Sequence, residues 1–415
     1  MKKNQVSLKN AISIVIGCVI GSGIFAKPGR VLEATGSSNG AIIAWVLGGL
    51  IALVGALTLA EIAARIPKVG GIYAYTEEMY GKPLAFINGW MQAIIYGPAL
   101  SAGIGLYLSS ILIQFAGLDD NLMKPITIGL VVVLTTIISL KMSWGTFIQN
   151  IANIGKLIPI FGIIVGGLVW GEFEIFNLTY QSTNSSAAAG MGVAMLATFW
   201  AYDGWVQVSN LGDEIENPSK NIPKAFIFGI LFIMFTYIII NLAIFKSMPI
   251  ADIVHLNEKA AAVAANNIFG PWGGKILALG ILIGMLGAVN GNIITMPLVS
   301  YSMAKDKLFP FSKIIGKVSK NDTPANATIF QSAITILMII FLDVNRITDI
   351  AMFCMYLFYS LVFVGLFKLR YRDGKPQDGK YRVPYIQSCR SLRFLAHFSY
   401  AILCLKIIPT TGLEL

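Results

Sequence analysis

Gly21-Ser22-Gly23-Ile24-Phe25 interrupts the first long apolar run of the chain and is followed at once by Ala26-Lys27-Pro28-Gly29-Arg30. Glycines flanking a serine let the backbone leave a helix, and the N–H groups opening the next turn then point into the gap. Such a gap can hold a carboxylate, with Ser22, Gly23 and Ile24 supplying N–H groups and the positive end of a helix dipole. The carbonyls that close the preceding turn, from Cys18 to Ile20, would face an ammonium group. Gly17, Gly21 and Gly23 also have the small-residue spacing of a helix contact. Packing alone does not account for the Lys27-Pro28-Gly29 that follows, whereas a broken helix does.

A later apolar run carries Phe199-Trp200-Ala201-Tyr202-Asp203-Gly204-Trp205. Trp200, deep in that run beside a second expected break, suits a ring that caps a small ligand and gates its path by a rotamer change. Trp205 equally suits a membrane boundary. The carbonyls around Phe199, with Ala201 beside them, are further partners for an ammonium group. Asp203 either touches the ligand or marks the approach to the inner helix end. Lys156 lies roughly 12 Å from the inner end of its span by helix rise, a depth at which an amine is costly and usually functional. Either its stem snorkels to the interface, or it is an internal cation held by carbonyls of the broken first helix and polar groups of the eighth span. Asn290 either joins helices or helps hold Lys156 or the ligand.

These residues sit in a chain of 415 residues that is 56% hydrophobic and 13% charged, with mean hydropathy +0.71. Soluble domains carry roughly a quarter charged residues. Apolar runs long enough to cross a bilayer recur at about 11–33, 41–66, 84–115, 125–141, 148–170, 188–211, 225–246, 275–303, 325–342 and 347–369. The chain is therefore read as an all-α polytopic membrane protein. Spans one and six are both irregular and begin successive groups of five. Matching discontinuities in two halves point to a transporter built from inverted repeats with its site at the breaks. The segment 251–267 reads as an amphipathic outer segment.

The net charge of +10 speaks for a membrane rather than nucleic acid because of where it lies. Lys2, Lys3, Lys9, Arg65, Lys68, Lys82, Lys141, Lys220, Lys224, Lys305, Lys307, Lys313, Lys317, Lys320 and the basic cluster at 368–382 fall on one side. Lys27, Arg30, Lys124, Lys246, Lys259, Lys275 and Arg346 fall on the other. The positive-inside rule then sets the N-terminus in the cytoplasm of a multi-pass cytoplasmic-membrane protein. The first run follows Lys2-Lys3 as a signal peptide would, but the next spans follow at once, so it reads as a retained helix. Cys18, Cys354, Cys389 and Cys404 show no paired spacing for disulfides or zinc. No metal or other cofactor is expected. His255 is the only histidine outside the tail and no nucleophile–base set is visible, which argues against an enzyme.

As a set these motifs resemble the amino acid–polyamine–organocation transporters, specifically the bacterial L-type (serine/threonine or alanine-serine-cysteine) exchangers. Gly21 to Phe25 is similar to the family's first-helix signature, and Phe199 to Trp205 with Glu214-Ile215-Glu216-Asn217-Pro218 to its sixth-helix signature and following loop. Gly155-Lys156-Leu157 resembles the fifth-helix lysine of sodium-independent members, Val289-Asn290-Gly291 the eighth-helix motif, and Pro67 to Tyr73 the loop after the second helix. The resemblance covers roughly 8–384. It implies the leucine-transporter fold, a five-plus-five inverted repeat with discontinuous helices 1 and 6, and electroneutral exchange of small neutral L-amino acids. Lys156 then occupies the place of a coupling sodium ion.

Rival readings are proton-coupled uptake, amino acid/polyamine antiport with Asp203 as the extra carboxylate, or a non-transporting sensor or defective product. The sequence leaves any oligomeric partner open. Residues 1–384 read as the permease domain, and 385–415 as an atypical, shortened tail, because members continue with Leu-Tyr-Pro and two more helices. Codons for Pro384-Tyr385-Ile386-Gln387 can spell Leu-Tyr-Pro one base out of register, so a frameshift or sequencing error after Pro384 is expected.

Overall fold

The helices begin where polar residues can satisfy their first N–H groups. Ser7, Ser37, Ser186 and Asp343 each accept a hydrogen bond from a backbone amide three residues on, at 3.4, 3.1, 3.2 and 2.9 Å, as N-caps do. The computed structural model describes residues 7–66, 71–140, 144, 145, 148, 152, 155–182, 184, 186–206, 215–319, 323–374 and 381–383.

The first span is three pieces: α1 (Leu8–Val19), α2 (Gly23–Ala26) and α3 (Pro28–Thr35). It is followed by α4 (Ser38–Arg65), α5 (Gly71–Tyr80) and α6 (Lys82–Trp90). A π-helical stretch, Met91–Tyr96, joins α6 to α7 (Gly97–Ala116). Next come α8 (Met123–Leu140), α9 (Leu157–Trp170), α10 (Ala187–Tyr202), α11 (Pro218–Ser247) and α12 (Ile250–Leu256). The chain continues with α13 (Ala260–Thr295), α14 (Pro297–Lys305), α15 (Ser312–Ile315), α16 (Ala325–Phe341) and α17 (Val344–Asp373). Six helical stretches among the described residues are long and apolar enough to cross a membrane, and Leu8–Val19, Leu157–Trp170, Ala187–Tyr202 and Ala325–Phe341 are shorter apolar helices. The protein is thus all-α and polytopic, with its first and sixth spans interrupted.

The side-chain distribution suits lipid. Ile43, Leu50 and Val54 on α4, Phe161 and Val165 on α9, and Phe228 and Phe235 on α11 are exposed. The inner face of α4 is Ala41, Ala44, Ala52 and Ala56. Small residues let backbones approach closely where no hydrophobic force sorts helix from lipid.

Segment 251–267, read as amphipathic, has one exposed and one buried face. Asp252 and His255 are exposed, but a 3₁₀ turn at Asn257–Lys259 leads into α13, whose Ala260, Ala261, Ala264 and Ala265 are buried. The turn packs on α2, α3 and α7, and alanine side chains are short enough to allow that approach. Of the sequence motifs, Lys68, Asp213, Glu214, Lys320, Lys380 and the tail from 384 onward lie outside the described residues.

At the Lys/Arg-rich end, hereafter the inner end, one carboxylate ties three segments together. Glu61, fully buried on α4, accepts from Arg65 Nε at 3.0 Å, from Arg370 Nε of α17 at 2.9 Å and from the backbone N–H of Val383 at 2.8 Å. Removing one partner of a buried ion pair costs about 3–5 kcal/mol because the other charges stay buried. Glu61→Ala should therefore lower the thermal midpoint of the detergent-solubilised protein by several degrees, whereas an unshifted midpoint would show that solvent reaches the two arginines.

Candidate substrate site

The two interruptions face each other. α1 stops at Val19, Ile20 turns to an extended conformation, and α2 starts at Gly23. On the opposite side α10 runs through Tyr202, Asp203 is extended, and Gly204 adopts φ +109°. The second break thus falls three residues beyond the Phe199–Trp200 position expected from sequence. Gly204 can take a positive φ without strain, so the chain can leave the helix there. A Cβ on Gly23 would lie 2.3 Å from Ala201 Cα, and one on Gly204 would lie 2.6 Å from the Cys18 carbonyl oxygen. Both glycines are therefore required for the breaks to touch.

Below them is a cavity of about 830 Å³ that runs along α1 to Ser13 and along α13 to Thr295, toward the inner end. Its walls include Ile20, Ser22, Gly23, Lys156, Trp200 and Asp203. Ser22, Gly23 and Ile24 open the α2 turn, where the first N–H groups have no intrahelical partner, while the Phe25 and Ala26 amides donate to the Ser22 carbonyl at 3.1 and 2.9 Å. The Ile24 side chain is fully buried and does not line the cavity. Trp200 forms the outer wall, with its ring edge-on to Tyr107 at 6.4 Å. The Phe199 ring turns away and stacks on Tyr356 at 4.1 Å, and Ala201 contributes its backbone against Gly23.

The sequence left two uses open for Lys156. Its side chain does not snorkel: the residue is 6% exposed and its Nζ donates to the Gly17 carbonyl at 2.6 Å, in the last turn before the first break. The stem crosses α13 at Gly284. Asn290 does not line the cavity; its Nδ2 donates to the Gly145 carbonyl at 2.7 Å, joining α13 to the segment ahead of α9. That bond is the helix-joining use of the residue. Asp203 takes a hydrogen bond from Tyr96 and, on Oδ1, one from Tyr359 at 3.1 Å. Both its oxygens therefore already have donors within the protein. The π-helical stretch ends on Tyr96 and so sets that hydroxyl toward the break, a use of π-turns common at functional sites.

Two positions carried no sequence signal. Tyr237 of α11 sits between the breaks, its hydroxyl 2.8 Å from the Ala201 carbonyl and 3.3 Å from that of Val19. It is one aromatic in an apolar span, and only the fold brings it to both breaks. Lys27 counts in sequence among the outer-side charges, yet it is 1% exposed, donates to Thr348 Oγ1 at 3.0 Å and lies 5.1 Å from the Tyr107 ring and 5.7 Å from that of Trp200.

Two interrupted helices meeting over a cavity, with an internal amine on one of their ends, define a broken-helix secondary transporter. Residues 6–412 match the sequence profile of the amino acid permeases, and the chain belongs to that family. It is 40% identical over 383 residues to the serine/threonine exchanger SteT of Bacillus subtilis (strain 168), covering 92% of this chain and 86% of that one. It is also 30% identical over 394 residues to the human b(0,+)-type amino acid transporter 1, covering 92% and 79%, and 29% identical over 379 residues to the human cystine/glutamate transporter, covering 89% and 74%. The chain is thus a multi-pass amino acid transporter of the exchanger type and has the five-plus-five leucine-transporter fold expected of it.

Removing the Lys156 amine frees the Gly17 carbonyl at bilayer depth, where an unsatisfied group costs several kcal/mol. Lys156→Ala in proteoliposomes should lose at least nine-tenths of amino acid exchange. Wild-type rate and affinity would refute a role for this amine.

Proposed function

We propose that the protein exchanges small neutral L-amino acids across the cytoplasmic membrane without sodium, with its N-terminus in the cytoplasm. The observation that carries this reading is the Lys156 amine on the Gly17 carbonyl. A fixed ammonium there supplies the positive charge that a bound metal cation would otherwise bring to the end of α1. In the reading, the N–H groups of Ser22, Gly23 and Ile24 take the substrate carboxylate, and carbonyls near Ile20 and beyond Phe199 take its amine. Trp200 closes the outer side of the site, and the two helix groups rock to expose it alternately.

Asp203 bears on the rival reading of polyamine antiport. A diamine needs an acceptor for its second ammonium, and the hydroxyls of Tyr96 and Tyr359 already engage this carboxylate. The name of the serine/threonine exchanger supports small hydroxylated substrates.

Reconstituted protein preloaded with serine should take up labelled serine in counterflow at equal rates in sodium and in choline buffer. Serine, threonine and alanine should compete, while arginine and putrescine should not. A sodium requirement would remove the proposed role of Lys156, and binding without counterflow would favour a sensor.

A further inference from the structure

Lys27 is a buried cation that the exchange cycle described above does not use. Among the described residues no carboxylate forms an ion pair with it: Asp349, the acid next to Thr348, pairs with Arg30 at 3.7 Å, and Glu258 is reached by Ser110 at 3.5 Å. The amine instead rests on one hydroxyl and two ring faces. The Thr348 hydroxyl donates its own hydrogen bond to the Asn345 carbonyl at 2.9 Å, which turns its lone pairs to the lysine. A buried charge held so sparsely is destabilising relative to an apolar side chain of the same size. Its position is what sets it apart. One of its two rings is Trp200, a wall of the cavity; the other, Tyr107, is on α7, its hydroxyl partner Thr348 is on α17, and the turn at 257–259 packs on α2, α3 and α7.

We propose that Lys27 is a specificity-determining residue, a charge filter on the outer path that passes net-neutral amino acids and rejects those with a cationic side chain. The inference rests on the exchanger reading above. Opening the outer path must part α2 and α3 from α7 and α17, which takes the Lys27 amine off Thr348 and the two rings and turns it toward the entering solute. In a narrow, low-dielectric passage an uncancelled positive charge repels a second one strongly. A zwitterion can present its carboxylate to the amine, whereas an added side-chain ammonium has no carboxylate to offset it. Specificity then comes from repulsion of the wrong substrate as well as attraction of the right one.

The test uses the full chain in proteoliposomes and a pair of solutes with one skeleton, homoserine and 2,4-diaminobutyrate, which differ by a hydroxyl against an ammonium. Wild-type protein should take up homoserine at least tenfold faster than diaminobutyrate. Lys27→Gln should keep serine counterflow within about threefold and reduce the homoserine preference at least tenfold, about 1.4 kcal/mol. Lys27→Arg should keep the preference, because it keeps the charge. Should Lys27→Gln fail to insert, Lys27→Met, which retains the stem and removes only the ammonium, answers the same question. A wild-type protein indifferent to the pair, neutral variants that discriminate as well as wild type, or a Lys27→Arg protein as permissive as Lys27→Gln would each overturn the filter. Absence of wild-type serine counterflow would instead fail the exchanger reading, so the two failures are separable.

Discussion

Lipid offers no hydrogen bonds, so a helix that breaks inside a bilayer must find partners for every backbone group it frees. This constraint organises the protein around its two interruptions. The ends of α1 and α10 are set against one another at Gly23–Ala201 and Cys18–Gly204. The freed carbonyls go to donors from other elements: Gly17 to the Lys156 amine, and Ala201 and Val19 to the Tyr237 hydroxyl. Groups left over at the head of α2 are what the protein can offer a solute. The site is what these pairings leave over: the opening N–H groups of α2 at the head of a cavity walled largely by apolar side chains.

Charge is handled by the same economy at three depths. At the inner end, where water is near, Glu61 gathers two arginines and a backbone amide into one node. At the breaks, the Lys156 ammonium is met by the Gly17 carbonyl and the Asp203 carboxylate by two tyrosine hydroxyls. Beyond Trp200, Lys27 has a hydroxyl and two aromatic faces. Two fixed amines and one fully solvated-by-protein carboxylate give the pathway an excess of positive character. That excess fits the proposed net-neutral solute, with its carboxylate in the gap at α2, better than it would fit a diamine.

Much of this was legible in the sequence because the constraint itself writes into sequence. Apolar runs of membrane length, the glycine–serine interruption and an amine deep in a span are features lipid tolerates only for a reason. The first break, the depth of Lys156 and the ten spans could be read from residue type alone. The second break was misplaced by three residues because a tryptophan in an apolar run draws attention, while the decisive feature is the conformational freedom of Gly204. Asn290 had two uses that sequence could not separate, since choosing between them depends on whether its amide faces the cavity or a neighbouring helix. Lys27 was misread for a different reason. Counting charges places Lys27 only on the outer side, and it is the bond to Thr348 of α17, the Arg30–Asp349 pair and the packing of the 257–259 turn on α7 that show it enclosed. Tyr237 left no mark, because its importance lies in reaching both breaks at once.

The Tyr237 hydroxyl has one proton and two acceptors, 2.8 and 3.3 Å away, one on each broken helix. A donor placed so can switch its hydrogen bond from one carbonyl to the other as the helix ends slide. The exchange of partners replaces the rupture of a bond, so relative movement of the two helices need not pass through a state with a bare carbonyl in hydrocarbon. In mechanical terms this residue is a bearing: it carries load between two parts while leaving them free to turn.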